Sequence, residues 1–280
     1  GFVNHKQRLE YPALRQADGR YDAISHYHAL QHLQQLCVEG KLAGIGSPRA
    51  SVEANFLLRD LVGADNFAPG FSNDEQPLIK LALELQQHSP AVTPDIPSIE
   101  SADAILILGE DVTNTAPRIA LALRQSVRNK AYALAAELRL ETWQDAAIRN
   151  LAQEQRSPLY IAACADTPLD DVACGRYSLA PDAIASLGQE VAAAINGDST
   201  APQLAAEIAA ALAGAQRPLI VSGTGCASAA VMQAASSVAN ALCASGKQAM
   251  LCLAVPEANS LGQALLCGPE ARSLQQLQQR

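Results

Sequence analysis

The residues whose types and spacing could bind a ligand are three glycine turns, each closing an apolar run. They read Gly44-Ile45-Gly46-Ser47, Gly109-Glu110-Asp111 and Gly223-Thr224-Gly225-Cys226. Each precedes a stretch of helical periodicity, so its backbone N–H groups would converge with a helix N-terminus. That arrangement favours an anion, typically a phosphate. The candidate binding positions are therefore Gly44, Gly46, Ser47, Gly109, Glu110, Asp111, Thr224 and Gly225. Glu110 and Asp111 sit where a functional carboxylate would sit at a strand end. The plainer reading is that they neutralise the positive end of the following helix.

Other chemistry finds less support. A nicotinamide dinucleotide site wants a third glycine, and Ser228 stands there; it also wants a carboxylate about 20 residues on, at a strand end. After Gly223 that region carries no carboxylate, and after Gly44 the nearest, Asp65, falls in a loop. There is no Gly-x-Ser-x-Gly elbow, no P-loop, and no histidine beyond His88 to serve a triad. His28 and His32 share a helix face but lack a third ligand, so a solvated polar face is the expectation. The seven cysteines show no Cys-x-x-Cys, and several lie in apolar runs. That pattern predicts reduced, mostly buried cysteines in a cytosolic setting, with neither disulfides nor a metal centre.

Composition narrows the classes further. The chain has 280 residues, 49% hydrophobic and 4% aromatic, with a net charge of −8. Without a basic cluster or stacking aromatics, nucleic acid is an unsuitable partner. No apolar run nears the ~20 residues a membrane helix needs. The start, lacking Met or a signal peptide, suggests a segment of a longer protein.

The elements that must position the turns are strand–turn–helix units. Leu42–Gly63 is the first, with Ser51 as N-cap, Val52, Phe56, Leu57 and Leu61 as the buried stripe, and Gly63 as stop. The unit recurs at Ile105–Arg128 and at Pro218–Leu242. Runs apolar throughout predict parallel strands covered on both faces, hence an α/β fold. A helix capped by Asp22 is expected to run to about Glu39, with Ile24, Tyr27, Leu30, Leu33 and Cys37 as its inner stripe and Gly40 as its stop. Pro77 is expected to open another, and Thr115 to cap the helix that Pro117 begins. Residues 130–155 read as helix broken near Leu140, with Trp143 packed. Further strands are expected at Pro158–Ala163, Tyr177–Leu179 and Met250–Ala254. Two linkers, at 88–101 and 197–202, are candidate domain crossings.

The three units, with LGEDVT, LDDVACGRY and ALAGAQRPLIVSGT in order along the chain, resemble the molybdopterin-oxidoreductase superfamily. More narrowly they resemble the G-chain family of bacterial NADH–quinone oxidoreductase, respiratory complex I. The resemblance implies two interleaved Rossmann-like lobes with mostly parallel sheets in a three-layer αβα arrangement. The first lobe would comprise 1–70 plus 203–280, and the second, inserted lobe 71–202. It also implies iron–sulfur clusters upstream of this segment and other subunits of the hydrophilic arm as partners. The location implied is cytoplasmic, peripheral to the inner membrane.

Cofactor-using relatives ligate molybdenum from the loop after the first unit and grip a guanine nucleotide with Asp-x-Arg after the second. Here the first loop offers only Asp65 and Ser72, and the second place reads as helix. The expectation is a structural segment with no cofactor, catalytic residue or metal of its own, its pocket vestigial. Two alternatives are an active molybdopterin-dependent oxidoreductase domain and the central domain of a thiamine-diphosphate enzyme. The latter would need a Gly-Asp-Gly motif in flanking domains, and none occurs here.

Overall fold

Four runs without a polar residue, Ile105–Leu108, Leu159–Ala163, Leu219–Val221 and Met250–Ala254, build the centre of the protein. In the computed structural model, which describes residues 4–6, 8, 10–40, 42–268 and 272–279, they belong to one five-stranded parallel sheet. Its strands are β5 (Ala104–Leu108), β6 (Leu159–Ala163), β7 (Gly175–Ser178), β8 (Pro218–Gly223) and β9 (Met250–Ala254), in the order β7-β6-β5-β8-β9. Alternate side chains point to opposite faces. Leu106, Leu108, Ile220 and Leu251 meet α9 (Pro181–Ile195), α10 (Gln203–Gly214) and α11 (Ala229–Ala244). Ile105, Ile107, Leu159, Ile161 and Val221 meet α4 (Ile96–Glu100) and α6 (Pro117–Ser126) on the other side. The result is a three-layer αβα fold, as expected. Alanine-rich helices bring backbones close: a Cβ on Gly188 of α9 would lie 2.8 Å from Ala234 Cβ of α11.

The order reverses at β5. The chain moves outward through β6 and β7, then returns to β5's other edge with β8 and continues to β9. The expected boundary at 202/203 therefore runs through a single sheet: β5 to β7 precede it and β8 and β9 follow it. The reason is that β5 offers two buried edges, and Ile105, Leu106 and Ile107 pair with both β6 and β8. The linker at 88–101 runs beside β9, with Val92 N donating to Ala249 O.

The first unit forms a smaller body. β3 (Gly44–Ile45) pairs in parallel with β4 (Phe67–Ala68), and α2 (Val52–Val62) joins them. Ser51 caps α2 by accepting from Ala54 N. The expected buried stripe does not form: Phe56, Leu57 and Leu61 are 50, 65 and 52% exposed, and Asn55 is the residue of α2 that is buried. Leu58 and Val62 of α2, not this stripe, are the apolar side chains that pack against Gly44 of β3. α1 (His26–Val38) likewise has no buried residue, with Tyr27, Leu30 and Leu33 exposed. Its cap is Ser25 rather than Asp22, because Asp22 belongs to β2 (Tyr21–Ala23), which pairs with β1 (Ala13–Arg15) in a hairpin.

Three smaller expectations are corrected. α3 (Glu75–His88) begins two residues before Pro77. Between α7 (Asn129–Glu137) and α8 (Asp145–Ala152) the helix breaks where expected, but Trp143 is 77% exposed, on the loop rather than in the core. Among the cysteines only Cys252 is fully buried; Cys164 and Cys174 are exposed. Cys164 follows the end of β6 and Cys174 precedes the start of β7, so both lie in loops rather than in the sheet. The remaining helices are α5 (Val112–Thr115), α12 (Ser260–Cys267) and α13 (Leu274–Gln278). No described helix is long and apolar enough to cross a membrane. Residues 1–3 lie outside the described residues.

Candidate functional site

Where strand order reverses in a parallel sheet, two loops diverge and leave a crevice at the carboxyl ends of the strands. Here that point lies between β5 and β8. Ser222 Oγ pins the strands together by donating to Leu108 O at 2.8 Å. Just beyond, Gly109 takes φ +71°, and a Cβ on it would lie 2.8 Å from Cys226 Sγ and from Val231 Cγ1. Glycine lets the two turns meet.

Glu110 occupies the crevice itself. It is 2% exposed, and its Oε2 accepts the Gly225 N–H at 2.8 Å while its Oε1 accepts the Thr115 hydroxyl at 2.7 Å. Any Cβ on Gly223 or Gly225 would fall 2.4 or 2.8 Å from Glu110 Oε2. The Gly-x-Gly spacing after β8 thus makes room for a side chain of the protein. Burial pushes the Glu110 carboxyl above its ordinary range; the bonds from Thr115 and Gly225 oppose that, and the Asp111 charge adds to it. Thr115 serves Glu110 instead of capping the next helix, leaving Ala116 ahead of Pro117. Asp111 caps the short α5, its Oδ1 accepting from Thr113 N and its Oδ2 from Asn114 Nδ2. Thr224 N donates to Ala254 O, tying the turn to the end of β9.

The first turn has different neighbours. Asn55, 2% exposed, lies one helical turn after Ser51. Its Oδ1 accepts the Ser47 N–H, and its Nδ2 donates to Ser47 O and Ser51 O, each at 2.9 Å. Gly46 N donates to Ala68 O, extending the β3–β4 pairing. A Cβ on Gly46 would lie 2.5 Å from Gln263 Nε2 and 2.6 Å from Asn55 Oδ1. Gly44 packs against Val62 and Leu58 of α2. Asn259, from the segment after β9, donates to Pro48 O and Ala50 O. Removing the amide with Asn55→Ala is expected to cost about 1–2 kcal/mol in urea unfolding, because three backbone groups lose a buried partner.

The fold thus brings Gly109, Glu110, Thr224 and Gly225 to one place, while Gly44, Gly46 and Ser47 sit on the small β3–β4 body. Sequence reasoning missed Asn55 and Gln263. A buried amide one turn inside a helix that follows a glycine turn is the signal that could have found Asn55. In the loop after α2, Ser72 Oγ donates to Glu75 Oε2 at 2.8 Å, and Asp65 Oδ1 pairs with Arg272 at 2.9 Å. His28 and His32 lie on an exposed face of α1. Among the described residues no group of three or more His, Cys, Asp or Glu could hold a metal ion.

The molybdopterin oxidoreductase family model matches residues 8–249. The chain belongs to the molybdopterin oxidoreductase family. Within that family it is 45% identical over 276 residues to the NADH-quinone oxidoreductase G chain of Pseudomonas fluorescens, and 40% identical over 277 residues to that of Escherichia coli (strain K12). Each alignment covers 96% of this chain and 30% of the relative, so the chain spans about 30% of the length of these relatives. A crystal structure of the formyltransferase/hydrolase complex (FhcABCD) from Methylorubrum extorquens with methylofuran superposes with a TM-score of 0.59. It covers 90% of this chain and 64% of that one at 14% identity, a likeness of fold alone. For this molybdopterin oxidoreductase domain, the likeness extends to the layered sheet and not to residue roles.

Proposed function

We propose that this domain is a structural part of a respiratory NADH–quinone oxidoreductase and carries no cofactor of its own. The observation that supports this most is Glu110, whose carboxylate already accepts the Gly225 N–H that a phosphate would need. A second anion in that cradle would meet a like charge. At ~4 Å and an effective dielectric of ~20, the repulsion is about 4 kcal/mol. The residues present at the turns therefore do not fit a phosphate-bearing pterin or nucleotide. The loop after α2 agrees: Ser72 and Asp65, its only candidate ligands, are engaged by Glu75 and Arg272.

In this reading the iron–sulfur clusters belong to other parts of the longer protein, and electrons pass from NADH to quinone without entering this domain. Its partners are the other subunits of the hydrophilic arm, on the cytoplasmic side and peripheral to the membrane. The exposed apolar faces of α1 and α2 suit burial against such neighbours. Metal and pterin analysis of both the purified chain and an assembled complex tests the reading. The expected result is molybdenum, tungsten and pterin all far below one per chain. A stoichiometric pterin in either preparation would overturn it.

A further inference from the structure

Two thiols outside the candidate positions read from sequence meet beside the crevice. Cys164 directly follows β6 and Cys226 lies in the turn after β8, 62 residues later. β5 lies between those strands, yet the two Sγ atoms are 3.4 Å apart. They reach each other across the end of β5, where Gly109 has no side chain to separate them: its Cβ would sit 2.8 Å from Cys226 Sγ. Cys164 is exposed and Cys226 half-buried, so a reagent in solution can reach one thiol and not readily the other.

We propose that Cys164 and Cys226 are a reversible dithiol–disulfide site, oxidised by thiol–disulfide exchange with a small-molecule disulfide. The Cys164 thiolate attacks one sulfur of the disulfide RSSR, forming a mixed disulfide and expelling RS⁻. Cys226 then loses its proton and attacks the Cys164 sulfur, forming the Sγ–Sγ bond and expelling the second RS⁻. The two protein protons end on the two leaving thiolates. The protein thus loses two electrons and two protons, and RSSR becomes two RSH. Burial first, and then the bond to Cys164, push the Cys226 thiol up to about 12, with the Glu110 charge acting in the same direction. That assigns Cys164 as the entering nucleophile and Cys226 as the slower, resolving one. Bond formation needs the sulfurs to close from 3.4 Å to about 2 Å. The bridge would tie the end of β6 to the turn after β8, over Gly109 and Glu110.

The test treats the 280-residue chain with glutathione disulfide and maps peptides without reduction. Wild type is expected to lose two of its seven titratable thiols, to drop about 2 Da in mass, and to yield a Cys164–Cys226 cross-linked peptide that a dithiol reverses. Tm should rise by about 5 °C on oxidation. Cys226→Ala should instead trap glutathione on Cys164, and Cys164→Ser, at an exposed position, should lose the cross-link while folding normally. Cys174, also exposed, is the internal control. The proposal is overturned if wild type stops at mixed disulfides on Cys164 and Cys174 alike. Cross-linking of Cys164 to Cys174, or no more adduct on Cys164 in Cys226→Ala than in wild type, would overturn it too.

Discussion

Gly70→Ala is expected to lower the unfolding free energy by about 3 kcal/mol or more, while Gly40→Ala costs only about 1 kcal/mol. Both glycines take positive φ, +81° at Gly70 and +68° at Gly40, so the conformational penalty is shared. Their surroundings differ. A Cβ on Gly70 would fall 2.1 Å from Gly46 O and 2.9 Å from Gly46 C, whereas one on Gly40 meets nothing within 4 Å. The obstructing atoms are backbone, and the Gly46 segment is held by bonds from its own N–H to Ala68 O and from the Ser47 N–H to Asn55 Oδ1. It cannot give way without parting β3 from β4. Urea unfolding of the two variants decides the matter; equal costs would show that contact between the two loops contributes nothing. Failure of Gly70→Ala to fold is the same outcome at its limit.

Glu110→Ala is expected to cost about 2–3 kcal/mol near neutral pH, while Glu110→Gln leaves stability unchanged or higher. Alanine takes the acceptor from the part-buried Gly225 N–H bond and empties the space the buried Glu110 side chain fills. Glutamine keeps an oxygen for that donor, and its NH2 can donate to Thr115 Oγ1, whose hydroxyl can turn to Asp111 O at 3.1 Å. Burial raises the Glu110 carboxyl above the ordinary glutamate value of 4.5. The folded chain therefore holds this proton more tightly than the unfolded chain. That contribution to stability is complete below the unfolded value and is lost as pH rises through the folded one. Relative to Glu110→Gln, wild type should lose stability as pH climbs above 4.5. Paired urea titrations from acid to neutral pH check the sign; a gap that narrows with rising pH contradicts the assignment.

Much of the architecture was legible because buried parallel strands are apolar at every position and their helices follow without delay. Ile105–Leu108 and Met250–Ala254 could be placed within a residue for that reason. What escaped was whatever depends on a partner distant in the chain. The stripe Phe56, Leu57 and Leu61 says which face of α2 seeks burial, but periodicity cannot say whether the chain supplies a cover. The hairpin at Ala13–Arg15 and Tyr21–Ala23 has too little alternation to register, although the turn signal at Asp18-Gly19 was readable. At the candidate site, the glycines and carboxylates announced themselves by position. That Glu110 turns across to Gly225, while Asp111 alone caps a helix, follows from sheet order, as does the meeting of Cys164 with Cys226. No local pattern encodes the order of strands.

That order also bears on how the chain is made. β5 is the first strand of the large sheet to be synthesised, yet the residue that locks its second edge, Ser222, bonds to Leu108 from 114 positions later. At roughly ten residues per second, about five seconds separate the end of β6 from the start of β8, and through them Ile105 and Ile107 have β6 on one side and nothing on the other. Ribosome-bound chains truncated before residue 218 should accordingly be sticky, chaperone-bound and protease-sensitive, and should become resistant only once β8 has emerged.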